Sequence, residues 1–141
     1  MSDIDTAIAL ACRVHTGQKD KAGQSYILHP LRLMLRLQAD EERIVAVLHD
    51  VIEDGDISFE ELGKMGFSET VIEAVDCLSR RKDETYDEFI KRLSLNRLAV
   101  KVKIEDIRDN MDLSRLESVD EDDLRRVRKY HRALKQLSKI A

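Results

Sequence analysis

The segment His49-Asp50-Val51-Ile52-Glu53-Asp54 sets four ionisable residues at the end of an otherwise apolar stretch, Ile44 to Leu48. Burying such groups without partners is costly. On a helix, at about 100° per residue, His49 and Glu53 share one side and Asp50 and Asp54 the adjoining side, and all four cover one arc. A second conflict lies downstream, where Ala99, Val102, Asp106 and Asn110 fall on one helical face and put an acid on a core-facing stripe. His29, at a loop end just before Pro30, completes a set of two histidines and two aspartates. Imidazole and carboxylate together suit Mn²⁺, Fe²⁺ or Zn²⁺, and such a set leaves positions open for water and substrate, the requirement of metal-assisted hydrolysis.

Each piece alone has a plainer explanation. A lone histidine on an apolar face is more often a satisfied core residue than a ligand, which is the reading given to His15 and His131. The His49-Asp50 dipeptide recurs by chance, Glu53-Asp54 resembles a helix end running into a turn, and Asp106 by itself suits an arginine partner. The joint order and context carry the argument.

The elements that position these residues are read as helices throughout, because apolar residues recur at three and four positions and alternating strand patterns are scarce. A first helix covers about Ile4 to His15, followed by the Gly-containing loop Thr16 to Tyr26. Pro30 opens a short second helix through Gln38. Asp40 caps a third, whose core face is Ile44, Val47, Leu48 and Val51 and which ends near Glu53-Asp54-Gly55. Ser58 with Glu61, then Ser68, then Thr85 begin the next three. A seventh covers about Asn96 to Met111, and the last follows Asp120 to Asp123 with Leu124, Val127, Leu134 and Leu137 on one face and a solvated basic face opposite. At 141 residues the expectation is one domain, residues 1–141, an all-α single compact helical bundle.

Composition narrows the function. The net charge of −4 disfavours DNA as the main partner, leaving only local basic clusters at Lys19 with Lys21 and at Arg80, Arg81 and Lys82. No apolar run approaches the roughly 18 residues of a membrane span. The N-terminal stretch lacks a basic region and a cleavage site, so a cytoplasmic location is expected. Cys12 and Cys77 stand apart inside apolar patterns and read as reduced core thiols.

The strings His15-Thr16-Gly17-Gln18, Lys21-Ala22-Gly23, Tyr26-Ile27-Leu28-His29-Pro30, Leu48-His49-Asp50-Val51-Ile52-Glu53-Asp54, and Lys103-Ile104-Glu105-Asp106 with Asn110-Met111 occur in this order. Together they resemble the hydrolase domain of the Rel/SpoT alarmone family and the stand-alone small alarmone hydrolases, over about residues 7–113. The resemblance implies an HD-domain helical bundle and a metal-dependent phosphohydrolase of the (p)ppGpp 3′-pyrophosphohydrolase kind. It implies Mn²⁺ on His29, His49, Asp50 and Asp106, with Glu53 and Asp54 in hydrolysis, where one of them positions or deprotonates the attacking water. It also implies a nucleotide substrate met by Asn110, Lys21, Tyr26 and Arg80. Alarmone synthesis is not expected, since the resemblance is confined to the hydrolase region.

The pattern departs from the family at informative points. Asp20 replaces the arginine that stacks on guanine, Ser79-Arg80 replaces threonine-lysine, and the late motif reads Lys103-Ile104-Glu105-Asp106-Ile107-Arg108-Asp109-Asn110. Two further readings therefore stand beside the first: an HD phosphohydrolase for a different nucleotide, and a non-catalytic metal or nucleotide sensor that meets partners through its charged last helix. A bundle whose polar core residues merely pair with one another is the plainest alternative. Oligomeric state is not fixed by the sequence.

Overall fold

The computed structural model describes residues 3–141. Met1 and Ser2, which begin the stretch read for a leader, lie outside them. The described residues form α1 (Ile4–His15), α2 (Leu28–Arg36), α3 (Asp40–Leu48), α4 (Val51–Asp54), α5 (Phe59–Lys64), α6 (Glu69–Leu78), α7 (Tyr86–Leu93), α8 (Arg97–Met111), a 3₁₀ turn (Leu113–Arg115) and α9 (Glu121–Ser138). The expected all-α architecture is observed. Extended pairing among the described residues is limited to one isolated bridge between Lys19 and Ser25, and no helix there is long and apolar enough to cross a membrane.

The second half of α3, Ile44 to Leu48, is apolar on every side because it lies at the centre, where α3 packs against α1, α2, α6 and α8. Val45, Ala46, Val47 and Leu48 are fully buried there, and truncating Leu48 to alanine is expected to cost about 2–5 kcal/mol. α8 crosses the same core through Ala99, Val102 and Ile107, which brings Asp106 to the end of α3. α9 then packs along α8 and touches α7.

Side-chain caps fix most helix starts. Ser58, Ser68, Thr85, Asn96 and Asp120 each accept a backbone N–H from the first turn. The third helix departs from expectation at both ends. Ala39, not Asp40, precedes its first turn, and its N–H is met by Glu42 at 3.3 Å. The helix stops at Leu48, and after His49 and Asp50 the chain resumes as the single turn α4. His49 Nδ1 donates to the Ala46 carbonyl at 2.7 Å, the acceptor that Asp50 N–H uses in a continuous helix, and Asp50 adopts φ −109°, ψ 1°.

Other corrections are smaller. α2 starts at Leu28, with Pro30 inside its first turn, where no N–H is needed, and it ends at Arg36 rather than Gln38. Cys12 is exposed rather than a core thiol, whereas Cys77 is half-buried and packs against the core. His131 is exposed on α9, whereas His15 is buried and bonds Gln18 at 2.9 Å. Leu124 is exposed, and Ala133 and Leu137 supply the buried contacts of α9.

Candidate metal centre

His29, His49, Asp50 and Asp106 converge from α2, the α3–α4 break and α8. Donor atoms of His29, His49 and Asp50 all lie within 4.8 Å of one another, and Asp106 Oδ1 approaches the two imidazoles at 2.9 Å and 3.6 Å. The tautomers follow from the hydrogen-bond partners. Ala46 offers His49 only a carbonyl, so Nδ1 carries the proton and Nε2 presents a lone pair. That Nε2 is buried without a hydrogen bond although Asp50 Oδ2 is 3.0 Å away. His29 likewise gives Nδ1–H to Asp109 Oδ2 at 2.6 Å and turns Nε2 toward Asp106.

Two imidazole lone pairs facing two carboxylates repel one another unless a cation lies among them. The residues therefore fit a divalent metal ion, and Asp109 behind His29 is the carboxylate that fixes ring orientation and basicity in such centres. The protonation preferences agree. Burial works against charge on His49 and His29, yet Asp50 and Asp106 raise the first, and Asp106 and Asp109 raise the second, above the ordinary imidazole value. Burial also disfavours the Asp50 and Asp106 carboxylates, but His49 draws the first down, and Lys103 with the two imidazoles the second. The cluster holds positive charge tightly, as protons or as a metal ion in competition with them.

Glu53 and Asp54 part company. Glu53 borders a cavity of about 190 Å³ with His49, Asp50 and Asp106, accepts the Arg80 N–H at 2.6 Å through Oε1, and is raised above the ordinary glutamate value by burial. Asp54 instead accepts Gln18 Nε2–H at 3.2 Å and lies 3.8 Å from His15 Nδ1. The Tyr26 hydroxyl donates to Asp50, and its ring sits 4.9 Å from that of His15 and 5.6 Å from that of His29.

No family model matches the chain. Among curated relatives, the guanosine-3′,5′-bis(diphosphate) 3′-pyrophosphohydrolase of Aquifex aeolicus is 32% identical over 121 residues, which is 77% of this chain and 17% of that protein. The protein of the same name from Vibrio cholerae is 40% identical over 70 residues, 47% of this chain and 10% of its own length. A solved structure of a metazoan SpoT ortholog that hydrolyses ppGpp superposes with TM-score 0.72 and 21% identity, covering 99% of this chain and 94% of that one. This is a Rel/SpoT-like HD fold. The Rel/SpoT-like chain spans less than a fifth of the length of the curated relatives it matches.

Within the Rel/SpoT-like fold the expected nucleotide-facing residues divide between two hollows. Lys21, Tyr26 and Asn110 border a pocket of about 290 Å³ with Asp20, Arg115 and Arg126. Arg80 and Asn110 border the metal-side cavity, where Arg80 is steadied by donating Nε–H to the Glu84 carbonyl at 3.1 Å. Arg81 turns aside to Asp76 at 2.7 Å. Asp20 is occupied as well, since Oδ1 accepts the N–H groups of Ala22 and Gln24, both at 2.9 Å.

Sequence reasoning missed Asp109, Tyr86, Lys129 and Tyr130. Asp109 meets His29 across 80 positions, and its place three residues beyond Asp106 on α8 was the only available hint. The last helix is not merely solvated on its basic face, because Lys129 and Tyr130 border the cavity that holds Glu53.

Proposed function

We propose that residues 1–141 act as one metal-dependent hydrolase unit, cytoplasmic in location, that removes the 3′-pyrophosphate of guanosine 3′,5′-bis(diphosphate). One Mn²⁺ ion is held by His29, His49, Asp50 and Asp106. The observation that carries this reading is the pair of imidazoles whose Nδ1 protons are committed, to Asp109 and to the Ala46 carbonyl, so that both Nε2 atoms face Asp50 and Asp106.

When bound, the ion supplies Lewis-acid polarisation of a phosphate oxygen and acidifies water. Glu53, held by Arg80 N–H, takes the proton from the attacking water. Water adds to the phosphorus on O3′, the P–O3′ bond breaks, O3′ takes up the proton that Glu53 received, and guanosine 5′-diphosphate and pyrophosphate leave. Lys103, 2.8 Å from Asp106 and kept protonated by that carboxylate despite burial, and Arg80 steady the charge that develops. Lys21, Tyr26 and Asn110 receive the nucleoside portion. Asp54, turned to Gln18 and His15, positions the α4 turn rather than touching water.

The curated relatives and the solved neighbour, named for this hydrolysis, support the reading. A second reading, a different nucleotide, is favoured by Asp20, whose carboxylate is spent on loop hydrogen bonds and offers no cation to a guanine ring. Side-by-side turnover of guanosine and adenosine 3′,5′-bis(diphosphate), with products identified by ³¹P NMR, separates the two. A strong guanosine preference with pyrophosphate as product supports the first, and equal rates or adenosine preference supports the second.

A further inference from the structure

Among the described residues, two groups beside the metal centre have polar atoms with no hydrogen-bond or carboxylate partner. The Tyr86 hydroxyl is buried without a hydrogen bond. Lys129 has no carboxylate partner among the described residues, and its Nζ lies 4.5 Å from the Tyr86 ring centre and 5.2 Å from that of Tyr130. Both residues border the cavity that also contains His49, Asp50, Glu53, Asp106 and Arg80. Burial lowers the Lys129 pKa, and Arg80, Lys103, Arg126 and Lys21 push it the same way, so Lys129 sits among cations with no carboxylate bonded to it. Lys103 differs, being paired to Asp106 at 2.8 Å.

A buried hydroxyl without a partner is unfavourable, and so is a lysine held among other cations with no carboxylate bonded to it. One occupant relieves both, a compact anion with several oxygens. Asn110 borders this cavity and also the larger pocket with Tyr26, Lys21 and Arg126. The two hollows thus meet near Asp106, whose Oδ1 accepts from Asn110 at 3.1 Å.

We propose that Lys129 and the Tyr86 hydroxyl form an anion subsite that receives the departing pyrophosphate, opposite in role to the pocket that receives the nucleoside. The assignment of the ligand rests on the hydrolase reading above. It gives α9 a direct part in the site, with Lys129 donating to oxygens of the pyrophosphoryl group under attack and Tyr86 donating a hydrogen bond to the same group.

The test uses the full chain loaded with Mn²⁺ and freed of excess metal, titrated calorimetrically with inorganic pyrophosphate, with bound Mn²⁺ followed by electron paramagnetic resonance. Tyr86→Phe removes only an unpartnered hydroxyl, so its ligand-free Tm is expected to be unchanged or higher while pyrophosphate affinity falls about tenfold. Lys129→Met is expected to lose about tenfold or more, with partial recovery in Lys129→Arg, and Mn²⁺ retention is the same in all. Wild-type protein that fails to bind pyrophosphate overturns the subsite, as do Tyr86→Phe and Lys129→Met variants that match wild type within about twofold. Should Lys129→Met misfold, Tyr86→Phe decides. Weakened pyrophosphate binding in the variants, beside a wild type that leaves guanosine 3′,5′-bis(diphosphate) intact, keeps the anion subsite and removes the hydrolase assignment.

Discussion

His29 Nδ1 lies 2.6 Å from Asp109 Oδ2, a buried contact that joins α2 to α8 and aims the other ring nitrogen at Asp106. Asp109 is wholly buried and also receives Arg32 twice at 2.9 Å and Arg36 at 3.2 Å; the His29 and Arg32 hydrogen bonds hold its carboxyl well below the usual range despite burial. Removing it leaves the imidazole unoriented and the arginines without their carboxylate. Asp109→Ala is expected to weaken Mn²⁺ binding about 10–100-fold and to lower stability by about 3 kcal/mol, read by calorimetry and urea unfolding. Asp109→Asn, which keeps an acceptor for Nδ1–H, falls between. Wild-type metal affinity in Asp109→Ala would show that the contact does not orient a ligand.

The division of labour between the ligands and Glu53 gives a second expectation. His49→Ala abolishes metal retention, measured by elemental analysis after gel filtration. Glu53→Gln retains metal and loses turnover by roughly 10²–10⁴-fold. Equal metal retention in the two variants would contradict the assignment.

Much of this was legible in the chain before any coordinates. Cap residues such as Ser58, Ser68 and Thr85 announce helix starts through local chemistry, and the six-residue His49–Asp54 string stands out because charge interrupts an apolar pattern. The break at His49-Asp50 was not legible, since the apolar period continues through Val51 and the competing use of the Ala46 carbonyl is a side-chain event. The split between Glu53 and Asp54 follows from that break. Asp109 and Lys129 were hidden for another reason: each gains its meaning from elements distant in sequence, α2 for the first and α7 for the second.

Glu84 supports the segment that presents Arg80 to Glu53. It pairs with Arg92 at 2.7 Å and 3.0 Å and accepts the Arg81 N–H at 3.0 Å, and the Arg92 hydrogen bonds hold its pKa down at about 2 against an ordinary 4.5. A depressed carboxyl contributes stability that is complete above about pH 4.5 and is lost as pH falls toward 2. Glu84→Gln is expected to be less stable at pH 7 and to show a shallower decline between those pH values in urea titrations. An unchanged pH slope would show that the pair contributes nothing.

Metal removal provides a fourth check. With the ion present at about 100 times its Kd, binding adds about 2.7 kcal/mol, so chelation is expected to lower Tm by roughly 5–10 °C. A Tm indifferent to chelator would mean that His29, His49, Asp50 and Asp106 only pair among themselves.

The most direct test is pyrophosphate release from guanosine 3′,5′-bis(diphosphate) by metal-stripped protein, with and without added Mn²⁺, beside Asp106→Ala. Release that requires Mn²⁺ and vanishes in the variant is the predicted result. Intact nucleotide in the presence of protein that demonstrably retains Mn²⁺ would contradict it.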